Sequence, residues 1–113
     1  MNTTQTASER ITQEVTAWPG VVAGPGDRGE FAFTIAGREI GHLHGDSVAH
    51  FGFPKKVGVE LRKQGRIGEH PVFPDSPGLG ARALETDDDV RDVITMLRIN
   101  YDRVANRENT PAK

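Results

Sequence analysis

Between Glu30 and Phe53 the chain changes to a period of two. Phe31, Phe33 and Ile35 alternate with Ala32 and Thr34, and the run is broken only at Ala36-Gly37 and Gly45-Asp46. Side chains on a strand point alternately to opposite faces, so this pattern demands strands with one buried side. Two-residue turns of this composition close tight hairpins. Three antiparallel strands therefore follow in order: Glu30–Ile35, Arg38–His44 and Ser47–Phe53.

The register expected for this meander is the one that buries the most apolar side chains on one face. With two-residue turns Phe33 faces Ile40, Phe31 faces His42, Ile40 faces Phe51, His42 faces Ala49 and His44 faces Ser47. Cross-strand partners share a face. The core face then carries Phe31, Phe33, Ile35, Ile40, Ala49 and Phe51, with His42 and His44 at its rim. Leu43, Val48 and His50 fall on the other face. A three-residue second turn would set His42 opposite His50, but it would turn Phe51 out of the core, so the two-residue register is expected.

The flanking segments read as helices and turns. Thr6 and Glu9 have capping-box spacing, and Ile11, Val15 and Trp18 make an apolar stripe that Pro19-Gly20 ends. Val21-Val22 starts a short strand. Gly24 to Gly29 is a flexible turn, since it lacks the lysine-hydroxyl pair and the strand-to-helix setting of a phosphate loop. Pro54 suits a helix start, Val57 and Leu61 share one face, and Gly65 suits the helix end. Arg66–Phe73 is extended, with His70 held so by Pro71, and Asp75 to Gly78 is a turn. Thr86 and Asp89 repeat the capping spacing, and Asp87, Asp88 and Asp89 place negative charge at the positive end of a helix dipole, which explains the acidic run without a metal. Val90, Val93, Ile94, Leu97, Tyr101 and Val104 then mark a long amphipathic helix.

The expected fold is α+β: a two-layer sandwich in which an antiparallel meander sheet of 3–5 strands packs against an N-terminal, a middle and a long C-terminal helix. A chain of 113 residues suits one domain spanning 1–113, with an ordered core of about residues 7–105 and flexible ends. Cysteine is absent, which excludes disulfides, thiolate metal sites and cysteine nucleophiles. The formal charge of −2 comes with no polybasic run, so neither nucleic acid nor a membrane surface is expected as a partner. With no apolar leader and no membrane-length apolar run, a cytoplasmic location is expected.

Chemistry concentrates in Gly41–Phe53, which holds three of the four histidines. His42-Leu43-His44 puts two imidazoles on one side of a strand, about 6–7 Å apart. Such a pair beside a carboxylate suits zinc, iron or copper, with His70 as a further ligand. The strong metalloenzyme motifs are missing, however, and the expected register removes His50, so no metal and no cofactor is assigned. The same groups suit acid–base work, with Asp46 or Glu69 orienting a ring. Ser47 lacks a nucleophile elbow and is a turn residue. Tyr101 lies in the apolar stripe, with its hydroxyl available to a pocket.

The order Gly41-His42-Leu43-His44-Gly45-Asp46, His50-Phe51, Gly65 to Glu69-His70-Pro71, then Leu97 and Tyr101 resembles the luciferase-domain family, named after the fungal luciferases. The resemblance runs from about Ile11 to Val104, and the compact chain is similar to the family's small prokaryotic-type members. Fungal luciferases are oxygenases that add O2 to a hydroxylated pyrone with no established organic cofactor. The resemblance implies a histidine-lined pocket for a small enolisable or aromatic substrate. On this reading His42 and His44 act as the base pair, Asp46 orients them and His70 forms the opposing wall, while His50, Glu69 and Tyr101 contact the ligand. The alternative is a non-catalytic module whose Leu43/Val48/His50 face meets a ligand or a second copy of the chain.

Overall fold

The computed structural model describes residues 5–109. Of the expected flexible ends, residues 1–4 and 110–113 lie outside them, whereas residues 106–109, expected to be flexible, are helical. The elements run α1 (Ala7–Val15), β1 (Val21–Pro25), β2 (Phe31–Ile35), β3 (Arg38–His44), β4 (Val48–Gly52), α2 (Lys55–Lys63), β5 (Gly68–Glu69), β6 (Leu79–Ala83) and α3 (Asp87–Asn109). The fold is α+β, as expected, but the antiparallel sheet has six strands rather than 3–5, in the order β1-β2-β3-β4-β6-β5. The strand without an expectation is β6. Its sequence, Leu79-Gly80-Ala81-Arg82-Ala83, has no β-branched or aromatic residue and its apolar alternation after Leu79 rests only on the small Ala81 and Ala83, and it becomes a strand by pairing with β4 on one side and β5 on the other. No helix among the described residues is long and apolar enough to cross a membrane.

Both capping boxes form. The Thr6 hydroxyl accepts from the Glu9 amide while the Glu9 carboxylate accepts from the Thr6 amide. Thr86 and Asp89 do the same at α3. Asp89 also receives Arg82, and Asp92 bridges Arg82 and Arg66, so the acidic start of α3 is stitched to β6. Helix α3 continues past Ala105 to Asn109. Trp18 lies beyond the end of α1, where its ring meets Tyr101 at 5.3 Å between centroids. Gly58 in α2 has a packing reason: a Cβ there would run into the carbonyl of Pro77.

Helices α1 and α3 pack together, and α3 covers β2, β3 and β6. Ile11, Val15, Phe33, Ile40, Leu43, Val93, Met96, Leu97 and Val104 are essentially solvent-free in the resulting core.

The expected register is corrected twice. Phe33 pairs with Gly41 and Thr34 with Glu39, which leaves Ile40 as an extra residue, a β-bulge. The β3–β4 turn has three residues, so His42 pairs with His50, Leu43 with Ala49 and His44 with Val48. Neither change would work alone. The longer turn would flip Phe51 outward, but the bulge turns the following half of β3 over, so Leu43, Ala49 and Phe51 stay buried together. Ile40 and Gly41 both face inward, and Leu43, expected on the second face, belongs to the core.

The bulge is held by α3. Asn100, completely buried, donates from Nδ2 to the carbonyls of Ile40 (3.1 Å) and Gly52 (3.0 Å). One turn earlier, the Leu97 side chain lies where a Cβ on Gly41 would stand, 2.5 Å from its Cδ2. A polar residue inside the apolar stripe of α3 thus serves a place where the ladder is irregular.

Candidate functional site: a four-histidine cluster

With the bulge in place, the second face of the sheet has a row across it: Ala32, His42, His50, Ala81 and Gly68 are successive cross-strand neighbours. His44, two residues from His42, shares that face. The flanking residues of the row are small, so the imidazoles have room. His70 follows Gly68 at a spacing of two, and the segment after β5 brings it over the row.

All four histidines of the chain therefore meet. Ring centroids are 5.0 Å apart for His42–His44, 5.2 Å for His42–His50, 4.4 Å for His44–His50 and 4.7 Å for His50–His70. One ring nitrogen from each of His42, His44 and His50 lies within 4.8 Å of the other two. His50 is buried, His42 and His70 are half-buried and His44 is exposed. Assigning His50 to the opposite face from His42 and His44 was thus the main sequence error at the site. It came from the register.

Each ring has a distinct setting. His42 Nδ1 lies 2.7 Å from the Glu39 carboxylate. As acceptor, the carboxylate makes Nδ1 the protonated nitrogen and leaves Nε2 free. Residues three apart on a regular strand face opposite ways, and the bulge at Ile40 is what brings Glu39 and His42 together. His70 Nδ1 accepts from the backbone N–H groups of Val72 (3.1 Å) and Phe73 (3.3 Å), so the proton of the neutral ring sits on Nε2. Burial, and then the neighbouring His44, His42 and His70, push the His50 pKa down to about 4. His70 is also lowered, first by burial and then by His42 and His44. Glu30 is held below the ordinary carboxylate range chiefly by backbone amides, its own and that of Arg28, with smaller contributions from His42 and His44. The cluster thus sets His50 and His70, both with lowered pKa, beside two further imidazoles and the carboxylate of Glu39.

The Luciferase domain family model matches residues 37–100, more than half of the chain, and that span holds all four histidines together with Glu39 and Asn100. The chain belongs to the Luciferase domain family. No curated protein and no solved structure gives a significant match to it.

Other candidate residues of this Luciferase-domain chain lie elsewhere. The Asp46 carboxylate accepts from the Ser8 amide at 2.8 Å, and the Ser8 hydrogen bonds hold its pKa down. It caps α1 from across the chain, and the partner of His42 is Glu39 instead. Tyr101 donates its hydroxyl to the Pro19 carbonyl at 2.6 Å, with the Arg98 guanidinium over its ring, and so ties α3 to the α1–β1 connection. Glu69 is exposed in β5, opposite Gly80. A groove of about 460 Å³ lies between α1 and the sheet, lined by Ser8, Thr12, Phe31, Leu43 and Gly45 among others, and none of the four histidines lines it. The cluster itself opens on the sheet face, beside the exposed Val72 and Phe73.

Proposed function

We propose that the four-histidine cluster is where this chain binds and converts a small enolisable or aromatic molecule, in an oxygenase-type reaction without an organic cofactor. The observation that supports this most is the convergence of His42, His44, His50 and His70 on one open face. Four titratable rings gathered beside apolar Val72 and Phe73 suit a flat, partly apolar molecule with an acidic hydroxyl. Ring nitrogens that accept from that hydroxyl would favour its enolate, which is electron-rich enough to meet O2. The family resemblance supplies the reaction class, since the fungal luciferases add O2 to a hydroxylated pyrone. We place the protein in the cytoplasm on the same reading. The alternative of a docking face made of Leu43, Val48 and His50 loses support, because Leu43 is buried on the other side of the sheet.

The test is a titration of metal-free protein with small hydroxypyrones, followed by NMR of the histidine ring protons. Signals of His42, His44, His50 and His70 should move together, and His44→Ala should weaken the response. Shifts confined to the groove at Ser8 and Thr12, or none, would overturn the assignment.

A further inference from the structure

We propose that His42, His44 and His50 form a three-histidine site for a divalent transition-metal ion of the zinc, iron or copper class, with a position left open for an anionic oxygen. This rests on the cluster being the functional centre, and it names the group that the centre uses. Imidazole is a good ligand for these ions, and catalytic zinc sites commonly use three protein ligands with an open fourth position.

Two features point to a metal rather than to a polar sheet face. Geometry is the first: one nitrogen from each ring already lies within 4.8 Å of the others. Bonds of about 2.0–2.1 Å in tetrahedral geometry need nitrogens roughly 3.3 Å apart, a closure that calls for small side-chain rotations of the three histidines, of which His44 is the most exposed. The second is the Glu39–His42 contact. A ligating histidine almost always donates its other ring N–H to a carboxylate or carbonyl, and Glu39 at 2.7 Å takes Nδ1 and leaves Nε2 for the ion.

His70 falls outside the ligand set for a structural reason. Two backbone amides occupy its Nδ1, so Nε2 carries a proton and can donate to a bound oxygen but cannot coordinate. Three neutral ligands leave the ion's double charge intact, which suits an enolate or another oxyanion. The metal would then stabilise the deprotonated substrate as a Lewis acid, and the released proton would pass to solvent.

Protein without a histidine tag, dialysed against EDTA, should be titrated with Co(II) by absorbance and with Zn(II) by competition, and the stoichiometry read by native mass spectrometry. One ion per chain is expected. Glu39→Gln should weaken binding by about 10–100-fold, as loss of an outer-shell partner does. His44→Ala should weaken it more, with the circular dichroism spectrum unchanged because this side chain is exposed, and His70→Ala should still bind. A ratio other than one, or wild-type affinity in His44→Ala, would overturn the site. The outcomes separate the two proposals. If hydroxypyrones move the histidine signals of a protein that binds no ion, the metal fails alone. If the ion binds but pyrones move nothing with or without it, the substrate reading fails and the metal stands.

Discussion

Replacing Asn100 with alanine should cost far more than an average helix substitution and should disturb a cluster on the opposite face of the sheet. The side chain is completely buried and gives two hydrogen bonds, to Ile40 at 3.1 Å and to Gly52 at 3.0 Å. Each bond is worth about 1 kcal/mol net, and a buried carbonyl left without its donor costs about 1–3 kcal/mol. Two such carbonyls, partly rescued by water at the less buried Gly52, give an expected loss of about 2–4 kcal/mol. For a domain whose total stability is about 5–15 kcal/mol, this is a large fraction, and the melting temperature should fall by on the order of 10 °C. Urea unfolding of wild type and variant at matched m-values measures the loss. Because the Ile40 bulge orients His42 and His44, proton contacts between the His44 and His50 rings, 4.4 Å apart at their centroids, should weaken in the same variant. A loss below about 1 kcal/mol with those ring contacts intact would show that the bulge does not depend on Asn100.

Two further outcomes test the same architecture. Gly41→Ala sets a methyl 2.5 Å from Leu97 Cδ2 and should destabilise by about 1–3 kcal/mol. Combining it with Leu97→Ala should cost clearly less than the sum of the two single changes, and strict additivity in denaturant unfolding would exclude the clash. The acid limb of stability should carry a signature of Asp89, whose pKa is held at about 2 by Arg82 and then by the amides of Glu85 and Thr86. A depressed carboxyl pKa stabilises the fold above the unfolded value and loses that contribution as pH falls through the folded one. The stability gap between wild type and Asp89→Asn should therefore be widest above about pH 4 and should close toward pH 2, whereas a gap constant over that range would refute the Arg82 linkage.

Much of the fold was legible because local physics decides it. The capping pairs Thr6/Glu9 and Thr86/Asp89 satisfy amides within one turn, and the period of two in Phe31, Phe33 and Ile35 reports a pleat. The luciferase-domain likeness was legible in the order of short motifs from Gly41 to Tyr101. Strand β6 was not, because Gly80, Ala81 and Ala83 carry no strand signal of their own and depend on pairing with β4 and β5. Glu39 rather than Asp46 meets His42 for a similar reason. Sequence proximity favours Asp46 beside His44, but the three-residue turn turns it toward the Ser8 amide.

By itself the sequence determined the secondary elements other than β6, the helix caps and the concentration of imidazoles around β3 and β4. Only the tertiary structure decided which way those imidazoles point. Side-chain direction on a strand has a period of two, so a single extra residue reverses every position after it, and no local pattern marks Ile40 as that residue. The decision involves Asn100 and Leu97, 60 and 56 positions away from Ile40 and Gly41, whose amide and methyl groups pack against the bulged strand. That choice converts an apparent pair of rim histidines into a cluster of four.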